Sequence, residues 1–135
     1  MTRHAAIAVV LVNAIVLLAH DAAHRGLGIL LSSWQEVFVY TVIVPSPILA
    51  LLLIRRHART GYALLLLSML GSFLFGVYFH FVAISPDHVS HLPPGDSQQV
   101  FRATAVLMAV VQAGGALVGA LGLAGLGSRR PVSPR

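Results

Sequence analysis

Cysteine and lysine are both absent from this 135-residue chain, and acids number only four. Without cysteine there is no disulfide framework, no thiolate metal site, no covalent haem attachment through Cys-x-x-Cys-His and no cysteine nucleophile. The chain also lacks a phosphate-binding glycine loop, a Gly-x-Ser-x-Gly elbow and a His-Glu-x-x-His metalloprotease motif. Charged residues make up 10% and apolar residues 57%, with a mean hydropathy of +0.85. That is too little polar surface to coat a soluble globule and too much apolar residue for disorder.

What is present instead is long apolar runs. A bilayer core about 30 Å thick needs about 20 apolar residues per helix, and four such segments use up most of the chain. The expected spans are residues 5–27, 37–54, 61–84 and 103–126 of a single membrane domain. Short connections imply an all-α, up-down-up-down four-helix transmembrane bundle. The longest loop, 85–100, contains Pro86, Pro93, Pro94 and Gly95, which mark it as irregular. The first segment reads as a retained span, because His20 and Asp21 spoil the small-residue frame of a signal cleavage site. Pro45 and Pro47 remove helix hydrogen bonds to the carbonyls of Thr41 and Ile43, so the second span needs other partners there or a kink.

Arginine sets the orientation. Arg3, Arg55, Arg56, Arg59, Arg129, Arg130 and Arg135 fall at the N-terminus, the middle turn and the basic tail 127–135, against Arg25 and Arg102 on the other side. The positive-inside bias then puts both termini in the cytoplasm and loop 85–100 outside, at the periplasmic face of a bacterial inner (plasma) membrane. A net charge of +5 distributed in this way calls for no nucleic-acid partner. The lipid bilayer is the expected partner, together with further copies or a larger membrane complex.

Five of the seven histidines and all four acids share the extracytoplasmic side: His20, His24, His80, His88, His91, Asp21, Glu36, Asp87 and Asp96. Ionisable groups within spans are costly, so such a cluster is a functional-site hypothesis by default. Helical spacing sharpens it. His20 and His24 are four apart, with Asn13 seven before His20 on the same stripe. Ser68, Ser72, Gly76 and His80 recur every four residues, and Thr104, Met108 and Gln112 do the same ahead of a Gly115-x-x-x-Gly119 contact face. Glu36 and Tyr40 form the polar stripe of the second span.

The chemistry expected is a histidine-rich, non-haem site for copper, zinc or iron. His20, His24 and His80 are its inner ligands, and Asp87, His88 and His91 its loop ligands. Asp21, Glu36, Tyr40, Met108 and Gln112 are expected around them, the polar members orienting the imidazoles. One alternative is a b-type haem with His20 and His80 as axial ligands, and Gly71, Gly76 or Gly115 making room for the macrocycle. Another is a small accessory or assembly subunit of a larger membrane complex, its Gly/Ala-rich last helix serving as contact face. Simpler roles stand beside these. Asp21 and Arg25 have ion-pair spacing, Glu36 suits a first helical turn, Met108 suits a core, and His4 and His57 flank spans.

Overall fold

The computed structural model describes residues 2–128, all helix and connecting loop with no strand among the described residues. Arg129, Arg130 and Arg135 lie outside them. Four helices form the fold: α1 (Thr2–Gly26), α2 (Ser33–Arg56), α3 (Ala58–Val82) and α4 (Gln98–Gly127). Each is long and apolar enough to cross a membrane, and each begins three to five residues ahead of its predicted start. Their outward faces carry Leu11, Ile15, Leu18, Leu52, Leu67, Leu74, Val110 and Leu117, all exposed. A water-soluble monomer rarely shows so continuous an apolar surface.

Successive helices run in opposite directions. At one end Arg3 and Arg55 line a common crevice. At the other, His20 of α1 meets His80 of α3 and Thr104 of α4. We call these the arginine end and the histidine end. Around the bundle the order is α1, α4, α3, α2, and α1 packs on α2 mainly along the Pro45–Arg56 half.

Small residues govern the arginine end. A Cβ placed on Gly119 would come within 2.6 Å of the Leu66 backbone, and one on Gly115 within 2.8 Å of Met69 Cγ. The expected glycine face is therefore the seat of α3. Ala6, Val10, Ala50, Ile54, Tyr62, Leu65, Met69 and Ala116 fill the interior beside it.

Two helical irregularities shape the histidine end. In α2 the turn Val39–Ile43 is a π-helix, closed by Val44 N–H donating to Val39 O at 2.9 Å. The widened turn places Pro45 at the start of a fresh helical segment, where a missing N–H costs least. This is how the chain accommodates the prolines. A second π turn, Tyr78–Val82, ends α3 and contains His80. Such single π turns recur at functional sites.

Loop geometry fixes the rest. Gly28, at φ +65°, ends α1 in a Schellman arrangement: Gly28 N–H donates to Arg25 O and Ile29 N–H to His24 O. The chain turns there and sends Ile29 inward beside Ala23, Leu27 and Phe101. Between α3 and α4 the loop is tied back, with Val89 N–H donating to His80 O at 3.0 Å and Arg102 Nε donating to Val89 O at 2.9 Å.

Candidate metal centre

His20, His24 and His80 are all buried, and one ligand atom from each lies within 4.8 Å of the others. They are the one such group of three or more potential ligands among the described residues. The four-residue stagger on α1 stacks His20 and His24, their ring centroids 4.8 Å apart. His80 enters from α3 with its ring 4.8 Å from His20. Phe101, fully buried, touches all three rings at centroid distances of 4.5, 4.8 and 5.4 Å and walls off one side of the cluster.

Hydrogen bonds orient two of the rings. His80 Nδ1 lies 3.1 Å from the main-chain oxygen of Asp87. A carbonyl can only accept, so His80 carries its proton on Nδ1 and presents a bare Nε2. His20 Nδ1 lies 2.8 Å from Thr104 Oγ1, and His20 Nε2 faces His80 Nε2 at 3.2 Å. Thr104 decides what happens between the two Nε2 atoms. If its hydroxyl donates to His20 Nδ1, His20 Nε2–H donates to His80 and the chain of bonds is complete. If the hydroxyl donates to Val100 O, 2.7 Å away, His20 donates from Nδ1 and two bare lone pairs face each other. Such a pair is an acceptor site that a proton, a donor or a metal ion could fill.

His24 completes the cluster differently. Its Nδ1 is buried with no hydrogen-bond partner, and it lies 4.0 Å from Asp87 Oδ1. Burial of Asp87 in the loop pushes its carboxyl up to about 6, from an ordinary value of 3.8. Asp87 thus serves the cluster twice, through its carbonyl to His80 and its carboxyl toward His24.

A cavity of about 340 Å³ opens beside the triad. Asp21, Glu36, Tyr40, Met108 and Gln112 all line it, as do the three histidines and Asp87. Asp21 pairs with Arg25 and accepts a hydrogen bond from Tyr40 Oη at 3.3 Å; Glu36 and Tyr40 are exposed at the rim, whereas Met108 and Gln112 are buried. None of the five hydrogen-bonds an imidazole; that task falls to Thr104 and the Asp87 carbonyl. His88 and His91 stand apart from the cavity lining and meet each other instead, Nδ1 to Nδ1 at 3.1 Å.

Two residues of this centre, Thr104 and Phe101, were not singled out by sequence as site residues. Thr104 lay on the recognised α4 stripe, and Phe101 is three residues before it on the same face. Comparisons with protein-family models, curated proteins and solved structures find no match to this chain.

Proposed function

We propose that this is an integral membrane protein that binds a transition-metal ion, copper, zinc or iron, on His20, His24 and His80. The observation that carries this reading is the buried Nε2-to-Nε2 approach of His20 and His80 at 3.2 Å, with the outer nitrogen of each already engaged. Nitrogen ligands at about 2.0–2.1 Å from a tetrahedral ion lie about 3.3–3.4 Å from one another. The His20–His80 pair has nearly that separation, and the unpartnered His24 supplies a third nitrogen within reach.

Binding then needs little beyond a shift of hydrogens. The Thr104 hydroxyl turns to Val100 O, the His20 proton moves from Nε2 to Nδ1, and both Nε2 lone pairs become free. Outer partners of this kind hold the tautomer and orientation of a ligating histidine. The Asp87 carboxylate balances charge near His24 and is the proposed fourth group. His88 and His91, paired with each other, are outside the proposed set.

A non-haem ion fits better than haem. The two Nε2 atoms are in hydrogen-bond contact, leaving no gap for a macrocycle. Gly115, one of the glycines that would have made room, is filled by Met69. We place the termini in the cytoplasm and the metal centre at the extracytoplasmic, periplasmic face of a bacterial plasma membrane, on the strength of the arginine distribution. Elemental analysis with an absorption spectrum of detergent-purified protein tests the reading. About one ion per chain without a Soret band, lost when His20, His24 and His80 are replaced by alanine, is the expected result. Metal content unchanged in that variant would overturn it, and an assembled but metal-free wild type would favour the accessory-subunit role.

A further inference from the structure

The cavity is much larger than an ion needs. Liquid water takes about 30 Å³ per molecule, so some 340 Å³ is room for a small organic molecule. Pockets for such ligands begin at about 300 Å³ and are mostly apolar, with a few placed polar groups. This one matches: Leu17, Leu31, Val39, Ile43 and Phe75 form much of its wall.

Its inner end is polar and unsatisfied. Gln112 is 2% exposed, lines the cavity, and its Oε1 has no hydrogen-bond partner. Buried amide oxygens are nearly always paired, so this acceptor calls for a donor from a guest. Gly76 provides the room. A Cβ there would lie 3.8 Å from Gln112 Oε1, and a longer side chain would cover it. Gln112 is eight residues beyond Thr104 on α4, about 12 Å deeper into the bundle.

The outer end opens sideways. The first half of α2 is drawn to α3 by Trp34 and Phe38 against Phe75, with Trp34 also on Phe79. Its Ser33–Ile43 half therefore leans away from α1, which packs on α2 mainly along the Pro45–Arg56 half. A single long hydrogen bond, Tyr40 Oη to Asp21 Oδ1, crosses the resulting mouth. The outer margin of the mouth is polar, with Asp21, Arg25, Glu36 and Tyr40, whereas the margin nearer the bundle centre is the apolar set Leu17, Val39 and Ile43, and in a bilayer it is this deeper margin that faces lipid.

We infer that this cavity binds a membrane-dissolved long-chain alcohol or phenol, its hydroxyl donating to Gln112 Oε1 and its apolar tail leaving between α1 and α2. The inference shares the membrane setting with the function proposed above and does not require the ion. Its test uses protein in lipid nanodiscs and a hexadecanol bearing a photoactivatable diazirine on the chain, with labelled residues read by mass spectrometry. Labelling should concentrate on Leu17, Val39 and Ile43, and unlabelled hexadecanol should compete where hexadecane does not. Q112L should lower labelling about tenfold, in line with loss of one buried hydrogen bond, while retaining metal. G76L, which fills the space above Gln112, should likewise lower labelling should Q112L fold poorly. Stripping metal from the unaltered chain with a chelator should leave labelling intact. Even labelling over the outer leucines, equal competition by hexadecane, or indifference to both Q112L and G76L would overturn the inference and leave a cavity holding water only. Release of the chain from membranes by alkaline carbonate would instead overturn the membrane setting itself.

Discussion

The same four helices behave differently at their two ends. At the arginine end, glycine on α4 lets α3 approach until backbone and side chain touch, and an apolar cluster around Leu65 and Met69 fills the interior. At the histidine end, α1 and α2 separate, two π turns interrupt the helices, and buried polar atoms are left without partners. Close-packed apolar ends have nothing to gain from a ligand, whereas an end with unpaired buried nitrogen and oxygen does. Close apolar packing and the candidate ligand groups are thus divided along the bundle axis.

Mutations can separate the two ends. The largest effect expected is at the histidine cluster: alanine at His20, His24 and His80 together should abolish metal binding, checked by elemental analysis, and leave the arginine end folded. Thr104→Val should come next, lowering metal affinity about 10–100-fold, the usual cost of losing a partner that orients a ligand. Thr104→Ser, which keeps the hydroxyl, should restore most of it, and competition with a chelator reads both. Gly119→Val should cost about 1–3 kcal/mol of stability by overpacking against Leu66, seen in a detergent melt, with metal affinity unchanged. Coupled loss of stability and metal in that variant would break the division proposed here.

A pH titration gives a smaller and more local signal. The raised carboxyl of Asp87 means that the folded chain holds this proton more tightly than the unfolded one. Its contribution to metal-free stability is complete below the ordinary carboxylate range and lost as pH rises through about 6. Asp87→Asn should flatten that slope, measured by melting temperature across pH 3.5–7.5, roughly spanning both values. The smallest effect is expected for His88→Ala with His91→Ala, exposed or half-buried residues outside the cavity. Stability should change by less than about 0.5 kcal/mol, as for ordinary surface substitutions, and metal content should not change.

Much of the cluster was legible beforehand because helix periodicity is a local property. Spacing of four put His20 over His24, and the small-residue stripe turned His80 inward; the three rings do meet. Loop histidines carried no such constraint, and His88 and His91 found each other instead. The orienting groups were harder to foresee. Asp21, Glu36 and Tyr40 have the right chemistry and the right end of the bundle, yet Thr104 and a main-chain carbonyl make the bonds. Partners between helices depend on relative depth and rotation, which no single stripe encodes.

The sequence by itself determined four apolar segments, the separation of arginine from histidine, and the inward face of each helix. These follow from composition and from the 3.6-residue turn, and act within one segment at a time. Only the tertiary structure decided that Phe101 would plate three imidazoles, that the prolines would be absorbed by a π turn, and that α2 would swing toward α3 and open a cavity. Those outcomes depend on which helices touch, at what depth and how closely, and it is the mutual fit of side chains across four helices that settles them.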